Sequence, residues 1–392
     1  MNICMIAYTE YRFDPRVRRE AEALAERGDK VDFICLSDSV EKDNKWEMIS
    51  GVSLWKLKCR KYQGNNIIRY LLSYLDFFLK AAFRVAIENY RKRYKVIQVH
   101  TMPDFMVFCA LIPKVFGAKI IIDIHDLMPE LFMSKFNSSK KNVIIRLVTF
   151  VERQSVKYAH RAIAVHHPHL DALIGHGNPK EKFSILLNTP DQKIFNRKHK
   201  PLLRDDGVYR LIYHGTVSKR HGLDIAIRAV MLSRKNIPNI TFDIIGDGDD
   251  IHRLVDLVGE LSAQEFIYLS RKMIPMDELC RKICDSDLGI IPILNDSFTQ
   301  YMLPTKLMEY VALGVPAITT RTKTIEAYFD DSMVQFFQAG SVDSLSHCIN
   351  DLFINSAKRA AMVKNANKFN EKYNWNVQKK NYYELIDSLT IK

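Results

Sequence analysis

Short apolar runs recur along this chain and alternate with longer stretches in which apolar residues follow helical spacing. Such runs are typical of buried strands in a parallel sheet whose faces are covered by helices. They predict strands at 2–8, 30–36, 52–57, 96–100, 119–124, 161–165 and 183–187, and then at 210–214, 241–245, 266–269, 288–293, 317–320 and 334–337. The chain is therefore predicted to be an α/β protein built from two similar halves.

Length and a change of composition divide the chain. Its 392 residues exceed the ~100 to 200 of a typical domain, so two domains are expected. Residues 189–207 are polar and rich in charge and turn formers, as linkers are. We predict Rossmann-like domains at 1–195 and 196–375, followed by a terminal helix at 376–392. Because open α/β sheets bind ligands beyond the carboxyl ends of their strands, the site is expected in a cleft between the domains.

The stretch 301–318 carries the strongest signal of function. Pro304 can open a helix, Gly314 can end it, and an apolar run follows. Lys306 and Glu309 are three residues apart in that helix, so both side chains lie on one face near its positively polarised start. Such a start can bind phosphates, and a carboxylate one turn later can accept ribose hydroxyl protons. The alternative is a Lys306–Glu309 salt bridge on a solvated face, which the apolar character of the helix disfavours.

Five further motifs occur along the chain. They are Asp14-Pro15-Arg16-Val17-Arg18-Arg19-Glu20-Ala21, Asp123-Ile124-His125-Asp126-Leu127-Met128-Pro129-Glu130, Tyr213-His214-Gly215-Thr216, Ile245-Gly246-Asp247-Gly248 and Asp287-Leu288-Gly289-Ile290-Ile291-Pro292. In order and spacing, the chain resembles the family-four retaining glycosyltransferases of the GT-B fold, in the branch whose late motif reads Pro-Ser/Thr-Lys-Leu-x-Glu-Tyr. The resemblance covers nearly the whole chain. It implies two Rossmann-like domains facing each other across a cleft, with the terminal helix crossing back to the first domain.

The resemblance also implies transfer of a sugar, with retention, from a nucleotide diphosphate sugar that we expect to be UDP-linked. The donor-binding residues would be Gly215, Thr216, Lys219, Arg220, Tyr301, Pro304, Thr305, Lys306 and Glu309. His125 would lie against the donor sugar and act in catalysis with Lys306 and Glu309. The acceptor side would include Asp14, Arg16, His100 and Asp126. In this family the leaving phosphate oxygen helps to take the acceptor proton, so neither a metal ion nor another cofactor is expected.

The chain departs from the family pattern at two places. The glycine after the first strand of the second domain is usually followed by Arg and, five residues later, by Lys, but Thr216 and His221 stand there. The Glu-x7-Glu motif that ends at Glu309 would begin at Tyr301. The carboxylate that contacts the donor sugar in relatives is therefore missing unless Asp296 takes its place.

The net charge of +12 comes from the first half of the chain, where residues 1–200 carry 34 Lys and Arg against 21 Asp and Glu. Segment 66–93 interleaves apolar, aromatic and basic residues, which favours an interfacial helix at anionic lipid headgroups; a core helix with basic edges is the alternative. No apolar run is long enough to span a bilayer, and the start lacks the features of a signal peptide. We expect a cytoplasmic protein, peripheral at the inner face of the membrane, whose acceptor is a lipid-linked or membrane-proximal glycan in surface polysaccharide or glycolipid assembly.

Other classes of protein are less consistent with the sequence. An excess of basic residues can bind nucleic acid, but the sequence contains no recognised nucleic-acid-binding module. The first turn, 8–14, contains no glycine, which counts against a dinucleotide cofactor. The seven scattered cysteines fit reduced thiols. A non-hydrolysing sugar-nucleotide epimerase of the same fold and a catalytically degenerate membrane-associated scaffold stay open as alternatives.

Overall fold

The computed structural model describes residues 1–37, 46–59, 62, 67–136, 142–196 and 206–390. Contacts divide the chain into two compact units. One consists of Met1–Asn188 with Gln378–Lys392, and the other of Thr189–Val377. Each unit has a predominantly or wholly parallel sheet with helices between its strands, so the predicted α/β class with two Rossmann-like domains is confirmed.

The sheet of the first unit has eight strands among the described residues. They are β1 (Asn2–Ala7), β2 (Lys30–Leu36), β3 (Trp46–Ile49), β4 (Val52–Leu57), β5 (Val96–His100), β6 (Lys119–Ile124), β7 (Arg161–Ala164) and β8 (Phe183–Ile185). Their order is β3-β4-β2-β1-β5-β6-β7-β8, and only β3 pairs antiparallel with its neighbour. The central strands β1, β5 and β6 are almost entirely buried, as their continuous aliphatic runs predicted.

Strand β3 was not predicted. Its residues alternate between exposed and half-buried, so no buried apolar run marks it in the sequence. It is joined to β4 by Ser50 and Gly51, whose φ angles are 50° and 80°. Two consecutive positive φ angles are typical of the tight turns that join antiparallel strands. The strand is therefore set by turn geometry and pairing rather than by hydrophobic pattern.

Six helices lie between the strands of this unit: α1 (Pro15–Glu26), α2 (Ile67–Lys92), α3 (Leu111–Val115), α4 (Met128–Phe136), α5 (Val143–Tyr158) and α6 (His167–Gly175). The connections from β4 to β5, β5 to β6 and β6 to β7 all step in one direction across the sheet. Right-handed crossovers therefore place α2, α3, α4 and α5 on one face, and α1, whose connection steps the opposite way, on the other. Among the described helices, none is long and apolar enough to cross a bilayer.

The second unit has a six-stranded parallel sheet whose strands were all predicted. They are β9 (Tyr209–His214), β10 (Ile240–Ile245), β11 (Ile267–Leu269), β12 (Leu288–Ile291), β13 (Ala317–Thr320) and β14 (Gln335–Phe337), in the order β11-β10-β9-β12-β13-β14. Its helices are α7 (Leu223–Ser233), α8 (Ile251–Glu260), α9 (Met276–Cys284), α10 (Thr305–Leu313), α11 (Lys323–Glu326), α12 (Val342–Ile354) and α13 (Ser356–Lys372). The last helix, α14 (Trp375–Ser388), lies beside α1, where Tyr383 donates a hydrogen bond to the carbonyl of Ala23.

Candidate active site

Helix α10 is formed as the sequence predicted. Pro304 precedes its first residue, and Gly314 ends it with a φ of 77°, in the left-handed region that favours glycine. Gly289 on β12 lets the helix approach the sheet, because a Cβ there would lie 2.3 Å from the ring of Tyr310. The Tyr310 hydroxyl donates to the carbonyl of Ile212 at 3.2 Å. These contacts hold α10 against β9 and β12.

The ammonium group of Lys306 lies at the carboxyl end of β9. Its Nζ donates to the hydroxyl of Tyr213 at 3.1 Å and sits 4.4 Å from the centre of that ring. A Cβ on Gly215 would come within 3.6 Å of the same Nζ. The φ of 105° at this position favours glycine, and the buried cation lies beside it at the strand end.

The charge of Lys306 is not neutralised by an adjacent carboxylate. Within the part of the chain that the structure describes, no acidic group lies within ion-pair distance of its Nζ. Burial lowers the pKa of Lys306 from 10.5 to about 8, with Glu309 opposing and Arg220 adding to the shift. Keeping this ammonium charged at pH 7 costs about 3 kcal/mol relative to an exposed lysine. Such an energy is recovered when an anion binds beside the cation.

Glu309 lies one turn after Lys306 and faces His214. Its Oε2 is 3.1 Å from His214 Nε2, but that nitrogen makes no hydrogen bond of good geometry to the described residues. Burial and the charge of Lys306 lower the pKa of His214 to about 3, so the imidazole is neutral at pH 7. About 15% of the Glu309 side chain is exposed.

The loop after β9 holds three further residues that were predicted to bind the donor. Thr216, Lys219 and Arg220 are exposed, and Arg220 is close enough to lower the pKa of Lys306. His221, at the position where relatives carry lysine, is buried. Burial and the charges of Lys306 and Arg220 lower the pKa of His221 to about 3. The chain thus has a neutral imidazole where relatives carry lysine, and the cations near this position are Lys306, Lys219 and Arg220.

Tyr301 stands where the Glu-x7-Glu motif would have its first glutamate, and it lies in a short 3-10 helix, Thr299–Tyr301. The Tyr301 ring is 5.6 Å from the Lys323 ammonium. Asp296 Oδ1 accepts hydrogen bonds at 2.8 Å from the backbone nitrogens of Phe298 and Thr299. This oxygen of Asp296 therefore stabilises the turn that precedes α10.

In the first unit, four predicted residues line one cavity of about 330 Å³. They are Asp14, His100, His125 and Asp126. The cavity lies at the carboxyl ends of β1, β5 and β6, where an open α/β sheet binds ligands. Four tyrosines, Tyr8, Tyr62, Tyr70 and Tyr74, complete much of its wall. Histidines, carboxylates and aromatic rings together provide hydrogen-bonding and stacking groups suited to a sugar.

The two histidines share one carboxylate. Asp123 Oδ2 lies 3.0 Å from His100 Nδ1 and 3.2 Å from His125 Nε2, and these two ring nitrogens are 3.1 Å apart. Burial alone would raise the pKa of Asp123, but Arg16 and the histidines lower it well below its usual range. His100 is buried, whereas about a fifth of the His125 side chain is exposed. His125 is therefore the member of this cluster that is accessible from the cavity.

Arg16, predicted on the acceptor side, is not at the surface. Its guanidinium donates to both oxygens of Asp123, at 2.8 and 3.1 Å, and to the carbonyl of Leu186 at 3.0 Å. Only 4% of the residue is exposed, and its guanidinium supports the Asp123 carboxylate that the two histidines share. Asp14 accepts hydrogen bonds from the backbone of Arg16 and Val17 and so caps α1.

The same cluster has the ligand atoms of a metal site, since His100, Asp123 and His125 offer atoms within 4.8 Å of one another. Arg16 donates to both oxygens of the carboxylate. A divalent cation would therefore lie next to a buried guanidinium and would have to displace its hydrogen bonds. The donor set fits an ion-pair network better than a metal centre.

Several residues of both sites were not singled out from the sequence. Asp123 and His125 are two apart at the end of a strand, and Tyr70 and Tyr74 are four apart on a helix; both spacings place side chains together. These spacings are the sequence signals by which Asp123, Tyr70 and Tyr74 could have been identified. The contact between the Lys306 ammonium and Tyr213 has no such signal in the sequence, because it joins two segments 93 residues apart.

Comparison with known families gives two matches that together span most of the chain. The family described as Glycosyltransferase Family 4 matches residues 16–191. The family described as Glycosyl transferases group 1 matches residues 194–369. Among curated proteins, none matches the chain by sequence.

Solved structures resemble the whole chain. Sucrose-phosphate synthase from Thermosynechococcus elongatus has a TM-score of 0.79 at 16% identity, covering 100% of this chain and 99% of that one. Anabaena Alr3699/HepE in complex with UDP-glucose has a TM-score of 0.74 at 12% identity, covering 98% and 99%. WaaG, a glycosyltransferase involved in lipopolysaccharide biosynthesis, has a TM-score of 0.71 at 14% identity, covering 100% of both. At these identities the likeness bears on the fold.

Proposed function

Because the chain belongs to family four of the retaining glycosyltransferases with the GT-B fold, we propose that it moves a sugar from a UDP-linked donor to a lipid-linked or membrane-proximal glycan. The product would be part of a surface polysaccharide or glycolipid. Transfer from a nucleotide sugar follows from the family. The identity of the nucleotide, the class of acceptor and the roles of individual residues are what we propose in addition.

The observation that carries the donor assignment is the buried charge of Lys306. Its ammonium lies beside Gly215 at a strand end, with a pKa lowered to about 8 and no described carboxylate within ion-pair distance. A diphosphate bound there would supply the missing negative charge. Arg220, exposed and close to Lys306, would bind a second phosphate oxygen.

Glu309 is assigned to the ribose of the donor. Its partly exposed carboxylate lies one helical turn from Lys306 and 3.1 Å from the imidazole of His214. Two ribose hydroxyls can donate to such a carboxylate at the same time. The solved relative described above contains UDP-glucose, which supports a uridine nucleotide in this chain.

The reaction proceeds by attack of an acceptor hydroxyl oxygen on the anomeric carbon. The bond from that carbon to the β-phosphate oxygen breaks, the new glycosidic bond forms on the same face, and the proton of the hydroxyl passes to the departing phosphate. Lys306 and Arg220 stabilise the charge that develops on that phosphate. His125 donates a hydrogen bond to the reacting sugar and orients it, held in place by Asp123.

The cavity at His125 is assigned to the acceptor. Its tyrosines offer ring faces for a sugar, and Asp14 and Asp126 offer hydrogen-bond acceptors for hydroxyls. Helix α2, which supplies Tyr70 and Tyr74, also carries exposed apolar side chains, and this supports an acceptor that is held at a membrane.

Nucleotide binding tests the donor assignment. The shift in melting temperature should rank UDP above UMP and uridine, because only UDP places a second phosphate near Lys306. Saturation at about 100 times the dissociation constant would add about 2.7 kcal/mol of stability. Lys306→Met should remove the advantage of UDP over uridine, while Lys235→Met, an exposed lysine of the same unit, should not. Equal shifts with UDP and uridine in the native protein would refute the assignment.

A further inference from the structure

The helices α2, α3 and α5 form one layer on the first unit. Right-handed crossovers place them on the same face of the sheet, and the 3-10 helix Asp104–Ala110 packs against both α2 and α5. Helix α3 packs on α2, and Lys114 of α3 lies over the ring of Tyr158 at the end of α5, 3.8 Å from its centre. The outward sides of these helices therefore form a continuous surface.

That surface is unusually apolar. All three helices present large exposed hydrophobic side chains, which are Ile68, Leu71, Leu72, Leu75, Leu79, Phe83, Leu111, Ile112, Val115, Val143, Ile144, Leu147 and Phe150, together with Phe116 directly after α3. Scattered exposed hydrophobics are normal, but a set of this size on one layer marks an interaction surface.

Most basic residues of α2 are paired with carboxylates of the same unit. Lys80 lies 2.8 Å from Asp76, and Arg84 lies 3.3 Å from Glu88. Lys92 lies 2.6 Å from Asp32. These charges stabilise the helix and its contacts with the sheet. Cations without an ion-pair partner among the described residues are found elsewhere on the layer.

A groove of about 610 Å³ opens beside α5, between it and the helices α4 and α6. Its apolar lining includes Met133, Val143, Leu147 and Phe150. Arg146 and Arg153 also line it; they are two helical turns apart and so lie on the same side of α5. Among the described residues, neither guanidinium has an ion-pair or hydrogen-bond partner, and both are exposed.

The inner end of the groove carries a buried polar group. His176 lies 3.0 Å from Glu130 and 3.1 Å from Glu152, and both Glu130 and His176 line the groove. Burial opposes the charge on His176, but the two carboxylates raise its pKa to about 10. Glu130 is 97% buried, and its Oε2 has no hydrogen-bond partner among the described residues. A ligand that donates a hydrogen bond would satisfy this oxygen.

We propose that this groove binds the headgroup and proximal chain of an anionic membrane phospholipid, while the surrounding apolar side chains of α2, α3 and α5 lie in the bilayer interface. The phosphate pairs with Arg146 and Arg153, a headgroup hydroxyl donates to Glu130, and the chain packs on Leu147 and Phe150. The charge and the apolar lining together select a lipid over a soluble anion. This inference rests on the proposed membrane location of the acceptor.

Vesicle flotation of the full chain tests the inference. The native protein should float with vesicles of phosphatidylcholine and phosphatidylglycerol and much less with phosphatidylcholine alone. The double variant Arg146→Gln/Arg153→Gln should lower the partition coefficient about 30-fold, since each basic residue near an anionic surface contributes about fivefold. Leu147→Ser/Phe150→Ser should lower it at least tenfold. The matched control Arg228→Gln/Arg281→Gln removes two cations of the second unit and should float like the native protein.

Each outcome bears on the groove and not on the donor site. Variants must keep the native melting temperature in the absence of ligand, which shows that they are folded. If both groove variants float like the native protein, the groove does not bind lipid, although membrane docking stands. If the native protein floats with neither vesicle, groove and docking both fail, while sugar transfer is untouched. If light scattering instead shows a dimer that Leu147→Ser/Phe150→Ser dissociates, the surface binds a second copy and the lipid assignment is overturned.

Discussion

Donor binding is expected to take up a proton, because the pKa of Lys306 is about 8 in the unliganded protein. The two phosphates of a nucleotide diphosphate sugar are diesters whose charge is constant around this pH. Bound beside Lys306, they would raise the pKa of the ammonium again. The donor therefore binds best to the protonated form, and affinity should fall as the pH rises through 8.

The size of the effect follows from the pKa. About nine-tenths of Lys306 is protonated at pH 7 and about one-eleventh at pH 9, so affinity should fall about tenfold between them. This corresponds to about 1.4 kcal/mol. At pH 8, binding should take up about half a proton per donor. Replacing the ammonium by Lys306→Met should remove the pH dependence and cost about 1.5 to 3 kcal/mol at pH 7, the range for a charged hydrogen bond.

Isothermal titration with UDP-glucose provides the assay. Affinity is measured from pH 7 to 9, and repeating the pH 8 titration in buffers of different ionisation enthalpy gives the proton uptake. Lys235→Met, an exposed lysine of the same unit, should keep the native pH dependence. A native affinity that is unchanged from pH 7 to 9, or the same pH dependence in Lys306→Met, would refute the reasoning about the buried charge.

Three further variants test other parts of the structure. Glu309→Ala should weaken uridine and UDP alike by about 1.5 to 3 kcal/mol, measured by titration, because both contain the ribose; unchanged binding would remove its ribose role. His125→Ala should lower sugar transfer tenfold or more with donor affinity unchanged, whereas normal turnover would exclude it from catalysis. Gly289→Ala should lower the free energy of urea unfolding by at least about 1 to 3 kcal/mol, because the new Cβ meets the Tyr310 ring at 2.3 Å. Gly175→Ala, with open space at its Cβ, is the matched control; equal loss in both would contradict the packing argument.

The sequence predicted most of the fold because buried parallel strands are marked by continuous aliphatic runs. Thirteen strands were predicted from apolar runs, and β3 was not, since it is an exposed edge strand defined by its turn. Helix α10 was equally predictable, because Pro304 marks its start and Gly314 marks its end. Local patterns therefore sufficed wherever burial and helix ends decide the structure.

The sites were only partly predictable because they depend on contacts between distant segments. Lys306 could be picked out from its motif, but its low pKa comes from burial against Tyr213 and could not. Arg16 could be picked out as part of its motif, but its burial against Asp123, 107 residues along the chain, could not. The groove at Arg146 arises where three helices meet, which no local pattern encodes.

Donor turnover followed by NMR tests the central claim most directly. The protein is incubated with a panel of UDP- and GDP-linked sugars, and the anomeric proton signals are recorded over time without added acceptor. We predict that a UDP-linked sugar is slowly hydrolysed to UDP and free sugar that first appears in the anomeric configuration of the donor, and that Lys306→Met abolishes this. Accumulation of an isomerised nucleotide sugar, or no turnover of any donor in the panel, would contradict the account.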